Sequence, residues 1–272
     1  MAAQMINHHV VRRTVLVASQ IGITVLFIFL WQYGANHHVI NTFFFSKPSA
    51  IWSYLKLWSS SNQPRSISTG TTLWQDLWST VFVFGFGYLI GTALGIISGI
   101  FIGTVRIVRE ITEPFIVFCN AVPRLILLPV LVVIFGFGYL PQVILVILVI
   151  YFIVTITIAE AIQETPRNLL ENAKILGANK INLVREIYFP SLIIWILSTS
   201  RLMVGLSLQA AVAAEFIGAE KGLGFRITDG QSRFRADEMF AAFVVVLVLA
   251  LLVDMVLTVV EKRATRWMPP QS

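Results

Sequence analysis

Three ionisable side chains interrupt long apolar runs of this sequence: Arg124, Arg201 and Glu215. A charge at the centre of a bilayer costs about 2.5–3.5 kcal/mol on insertion scales, so such a group faces a cavity or a partner. Arg124 follows Pro123 and precedes Pro129, and each proline removes a backbone donor. A guanidinium there has two uses. It can offer its planar fork to a sulfonate or carboxylate along an anion path, or it can serve as structural glue, in a salt bridge or on carbonyls that proline frees. Arg201 admits the same two readings. Glu215 closes the outer end of its run, which suits fixing the next loop more than touching a solute. Asp254, shortly before Glu261, is placed to hydrate or to pair with Arg or Lys.

Residues 160–190 (EAIQETPRNLLENAKILGANKINLVREIYFP) return charge to the chain between two apolar blocks. Pro166 suits a helix start. Leu169, Leu170, Ala173 and Leu176 then form an apolar stripe at three-to-four-residue spacing. Gly177 suits the left-handed position that stops a helix. A second helix is predicted over 179–188, and Pro190 marks entry into the next block. The pattern is a helix–turn–helix in water whose apolar stripe is framed by charge, and such stripes mark partner surfaces. The plainer reading is a connecting loop, which has no use for a glycine-terminated amphipathic helix.

No Ser/His, paired-Asp or His-rich constellation supports catalysis, so no catalytic residue is assigned. Cys119 is the sole cysteine and can form no intrachain disulfide. The doublets His8-His9 and His37-His38 flank the first apolar block; adjacent helical residues diverge, so no metal site is assigned. The sequence holds no phosphate-binding G-x-x-x-x-G-K-[ST] loop, so this chain does not hydrolyse ATP by that route.

The elements that must hold these groups are legible from composition. Hydrophobic residues make up 57% of the 272 and charged residues 12%, about half the charged share of a soluble domain, and mean hydropathy is +0.80. The apolar residues fall in blocks near the ~20 needed to span a bilayer, and such blocks are helical because lipid offers no partner to backbone polar groups. The expectation is an all-α, polytopic transmembrane bundle, one transmembrane domain over 1–272. Its six predicted spans are 14–33, 80–104, 114–136, 142–160, 191–214 and 239–260. The first, after Arg12-Arg13, lacks a small-x-small cleavage site and is kept as an uncleaved anchor. With the N-terminus inside, eleven Lys and Arg fall on cytoplasmic segments and seven outside, which favours cytoplasmic termini. The net charge of +6 therefore belongs to membrane topology, and no nucleic-acid partner is expected. Pro48 opens a short amphipathic helix with Ile51, Trp52, Leu55 and Trp58 at helical spacing, predicted to lie on the membrane surface. Gly87, Gly91, Gly95, Gly99 and Gly103 form an i, i+4 ladder that lets another helix approach, either for static packing or on a face that slides during a cycle.

Glu171-Asn172-Ala173, three residues, Gly177, nine residues, then Ile187-Tyr188-Phe189-Pro190 resembles the E-A-A-x3-G-x9-I-x-L-P motif of ABC importer permeases. Asn172 and Phe189 depart from it. The segment Pro123 to Gly138, the run Ala213-Ala214-Glu215-Phe216 and Gly222-Leu223-Gly224 resemble the nitrate/sulfonate/taurine-type subfamily. That resemblance implies a type I importer permease in a bacterial inner membrane, passing a small, anionic solute. It implies as partners a periplasmic substrate-binding protein, two cytoplasmic ATPase subunits that hold ATP and Mg, a second permease copy and surrounding membrane lipid, with no cofactor on this chain. It makes 166–177 a cytoplasmic coupling helix, with Leu169, Leu170, Glu171, Ala173, Leu176, Gly177 and Ala178 at the ATPase. The competing expectation is a transporter or channel driven by an ion gradient. It calls for intramembrane acids, and Asp254 is the one clear case.

Overall fold

The computed structural model describes residues 2–60, 70–183, 185 and 188–264, which are helices and turns with no strand among them. The elements are α1 (Ala2–Asn36), α2 (Thr42–Phe45), α3 (Pro48–Ser59), α4 (Leu73–Thr104), α5 (Arg106–Ala121), a 3-10 turn (Arg124–Ile126), α6 (Leu127–Phe135), α7 (Tyr139–Gln163), α8 (Arg167–Ile175), α9 (Lys180–Leu183), α10 (Phe189–Gly218), α11 (Leu223–Ser232) and α12 (Ala236–Ala264). Segments of α1, α4, α7, α10 and α12 are long and apolar enough to cross a membrane.

The apolar block at 114–136 is not one straight helix. It divides into α5 and the stretch Arg124–Phe135, bent by 75°. The cause is Pro123, whose ring excludes the α region for the residue before it. Val122 is accordingly extended, at φ −71° and ψ 127°. Pro129 does no comparable damage, because it falls in the first turn of α6, where an N–H has no intrahelical acceptor to lose.

Contacts gather the chain into two compact units, one of residues 1–73 and 227–242, the other of 74–226 and 243–272. In the second, α7 is the central element. The glycine ladder of α4 lies along it in constant register, Gly87 on Val146, Gly91 on Ile150, Gly95 on Val154, Gly99 on Ile158 and Gly103 on Ile162. The two helices therefore run parallel. A Cβ built on Gly87, Gly95 or Gly99 would stand 2.6–2.7 Å from the Cβ of its partner, and one on Gly95 only 3.0 Å from the Tyr151 carbonyl. No side chain fits there. α7 also meets α10: Val146, Val149, Ile150, Val154 and Ile158 share a buried core with Leu192, Met203, Ala210 and Ala211. Leu128 of α6 completes a second cluster with Leu145 and Ala214.

In the first unit, α3 begins at Pro48 and buries Ile51, Tyr54 and Trp58. Its inward stripe thus uses Tyr54 where the spacing of Trp52 and Leu55 pointed elsewhere; Trp52 is exposed. Tyr54 earns its place through a cation-π contact, the Arg235 guanidinium standing 5.3 Å from its ring.

The ladder yields a paired test. Gly95→Val should lower unfolding stability by about 1–3 kcal/mol or more, because overpacking here meets backbone as well as side chain. Gly85, two residues before the ladder's start, has nothing within 4 Å of a built Cβ, so Gly85→Val should leave the thermal midpoint in detergent unchanged. Equal midpoints for the two variants would contradict the close-contact reading.

Candidate functional site

The charged segment leaves α7 through a short cap, in which Glu164 N–H donates to the Glu160 carbonyl at 3.0 Å and Thr165 N–H to Ile162 at 3.3 Å. Pro166 then accepts the first bond of α8, from Leu169 N–H at 3.1 Å. At the other end Gly177 has φ +86°, and Ala178 N–H reaches back to the Ala173 carbonyl at 2.9 Å. This is a six-to-one closure around a left-handed residue, the arrangement glycine permits at a helix C-terminus. Leu169, Ile175 and Leu176 are 51%, 83% and 87% exposed, Glu171 is exposed, and Ala173 and Ala178 are half-buried. Ile175 is an addition to the expected stripe; it precedes Leu176 and the spacing argument passed over it. The side chain of Leu170 lies outside the described residues, as do Ile187 and the side chain of Pro190. The predicted helix 179–188 opens as α9, where Asn179 Oδ1 accepts from Asn182 N–H at 2.8 Å; residues 184, 186 and 187 lie outside the description.

Arg124 stands at the bend of the third apolar block. Its guanidinium donates to Asn120 Oδ1 and lies 5.8 Å from the Phe152 ring. Asn120, Arg124 and Gln209 are the polar side chains in the wall of a cavity of about 360 Å³, among Val149, Leu206 and Ala210. Arg201 is not at this cavity wall. It pairs with Asp254 at 3.3 Å and Glu261 at 3.0 Å and donates to Thr258 at 3.2 Å, so it ties α10 to α12, and Glu261 also accepts from Ser200 at 3.0 Å.

Glu215 is the centre of a buried clasp at the far end of α10. Its carboxylate accepts from the Thr80 hydroxyl at 2.8 Å and from Gly224 N–H at 2.8 Å. Thr80 Oγ1 in turn accepts from Leu223 N–H at 3.0 Å. Asp76 accepts from Gly222 N–H at 3.0 Å and is ion-paired with Arg226 at 2.7 Å, both side chains fully buried. The two glycines are there because nothing larger fits: a Cβ on Gly222 would meet the Glu215 carboxylate at 2.4 Å, and one on Gly224 the Val212 carbonyl at 2.2 Å. Asp76, Thr80 and Arg226 escaped the sequence reading. Arg226 falls among the outer Lys and Arg of the topology argument, and nothing local to it marks it as the partner of Asp76, 150 positions away.

Residues 91–266 match the family described as binding-protein-dependent transport system inner membrane component. The chain is 26% identical over 251 residues to the taurine transport system permease protein TauC of Escherichia coli, covering 92% of this chain and 90% of that protein. It is 24% identical to the riboflavin transport system permease protein RibX of Chloroflexus aurantiacus, covering 89% and 87%. Among solved structures, a chain of the MetNI methionine ABC transporter in inward-facing conformations superposes with a TM-score of 0.63 at 16% identity, over 71% of this chain and 96% of that one. This likeness establishes the fold.

The clasp carries its own prediction. Arg226→Met leaves the Asp76 carboxylate buried without its cation, which should cost about 3–5 kcal/mol. Adding Asp76→Asn keeps an acceptor for Gly222 N–H and removes the stranded charge, so the double variant should regain most of the loss in a detergent thermal melt. A double variant no more stable than Arg226→Met would mean that the ion pair is not what the site depends on.

Proposed function

The chain belongs to the family of binding-protein-dependent transport system inner membrane components, and we propose that it works as one of two identical copies forming a transmembrane path. It is the permease subunit of an ABC importer, and the family works with ATPase and binding-protein partners. In our reading α8 projects into the cytosol and seats in a cleft of the ATPase subunit, where ATP and Mg are held. The N- and C-termini lie on the same side, in keeping with the eleven-to-seven distribution of Lys and Arg. A binding protein docks on the outer face and delivers a small organic solute of the sulfonate class, by analogy with the taurine relative.

The observation that carries the reading is the α8 surface. Ile175 and Leu176 are almost wholly exposed in the free chain, and full burial of each against a partner is worth roughly 1.5–3 kcal/mol. A helix of this length has little stability alone, so its geometry must come from its flanks. It has them: the α7 cap on one side, and the Gly177 closure on the other. A helix held that way can pass a displacement on to its flanks rather than dissipate it.

Ile175→Glu with Leu176→Glu should abolish co-purification of the ATPase while leaving the thermal midpoint of the permease unchanged, since both positions are solvated. Gly177→Val forces a β-branched residue to φ +86°; it should retain the ATPase but reduce solute uptake per ATP hydrolysed. Full co-purification with the double glutamate variant would remove α8 as the docking surface.

A further inference from the structure

We propose that the cavity at the bend between α5 and the Arg124–Phe135 stretch is an oxyanion subsite, in which Arg124, Asn120 and Gln209 hold the sulfonate or carboxylate head of the passing solute. The proposal rests on the importer reading above and adds what that reading leaves open. The taurine and riboflavin relatives are similar to this chain at nearly equal identity, so kinship does not separate an anionic head from a neutral, aromatic solute. The chemistry of the cavity does.

Its wall holds one fixed positive charge and two carboxamides, and none of its lining residues is acidic. Arg124 has spent one arm on Asn120 Oδ1, which leaves the Asn120 amide nitrogen as a donor. Arg124 Nε is buried without a hydrogen-bond partner, so in this arrangement it is closed to a ligand and the donors left to the guanidinium are on its terminal nitrogens. Gln209 supplies a further amide from the facing helix α10. Phe152 lies against the guanidinium, its ring centroid 5.8 Å from Cζ. The cavity thus offers an oxyanion one fixed positive charge and two amide donors, with no acidic side chain to repel it. Arg201 differs in this respect: two carboxylates already occupy it.

The volume of about 360 Å³ falls at the small end of ligand pockets. A compact head with a short chain fits that space.

The test uses the detergent-purified permease–ATPase complex in phosphatidylcholine nanodiscs, with ethanesulfonate and taurine as probes and riboflavin as the neutral comparison. Saturation-transfer NMR reads binding directly from the probe protons. Ethanesulfonate and taurine should give saturation transfer with the native complex. Arg124→Met should weaken it about tenfold or more, as expected for loss of a charge-assisted hydrogen bond, and Arg124→Lys, which keeps the charge and loses the fork, should fall between. Undiminished transfer in Arg124→Met, no transfer in the native complex, or displacement of the probe by riboflavin would each overturn the proposal. So would failure of both Arg124 variants to assemble, which would make the residue a packing element. A signal that vanishes when phosphatidylglycerol is added would assign the site to a lipid headgroup and overturn it as a solute subsite. Failure of the importer reading would look different, because the ATPase would then be lost from the native complex before any probe is added.

Discussion

Everything in the larger unit is arranged around the approach of α4 to α7. Five glycines in register with Val146, Ile150, Val154, Ile158 and Ile162 bring one backbone to within van der Waals reach of its neighbour's side chains. In lipid there is no hydrophobic drive to press helices together, so contact of this kind supplies the association through dispersion. The ladder also sets direction and register, because a shift of one residue along α4 would drive a side chain into the Val154 or Ile158 position. The α7 residues that meet the ladder also carry the core shared with α10, and α6 closes against Leu145 and Ala214.

Polar contacts then lock α10 at two levels. Towards its middle Ser200 and Arg201 reach Glu261, with Asp254 and Thr258 supporting. At its C-terminal end Glu215, Thr80, Asp76 and Arg226 grip the Gly222-Leu223-Gly224 turn. The second set is buried and the first is half-solvated, so they differ in kind. A buried pair stripped of one member strands a charge, whereas a half-exposed pair loses little more than a contact. The loop that follows α10 is therefore held rigidly, and Gly138 N–H and Gln142 add a further anchor by both donating to the Gly218 carbonyl, at 3.0 and 2.9 Å.

Hydropathy made the helices legible, and the E-x-A-x3-G spacing made α8 and its glycine stop legible, because both depend on residues close in sequence. The ladder was visible for the same reason: its period of four is written in one segment, although its partner was not. What escaped needs contacts distant in sequence or backbone geometry that hydropathy does not register. Block 114–136 is apolar throughout, so a hydropathy argument sees one span; the break comes from the steric demand of Pro123 on Val122. Arg226 reads as an outer-loop charge until the fold buries it against Asp76. In α3 the inward stripe runs through Tyr54 because Arg235, nearly two hundred positions later, covers its ring.

The placement of α8 gives the chain a mechanical logic. It is the link between α7 and α10, and the Arg124 cavity takes part of its wall from each: Val149 from α7, Leu206, Gln209 and Ala210 from α10. At 1.5 Å per residue, Val149 stands about 21 Å from the α8 end of α7, and Leu206 about 25 Å from that of α10. Two straight helices packed on a common core transmit a tilt over such lengths with little loss, since a close-packed interior yields in discrete steps rather than by continuous deformation. Displacing α8 would therefore move both walls of the cavity. The wall that bears Arg124 sits at the bend after α5, off the direct line of that lever. A change in the spacing between Gln209 and Arg124 would alter how many donors an oxyanion meets at once. Tight grip in one arrangement and release in another would then follow from geometry alone, with no change in the charge of any residue.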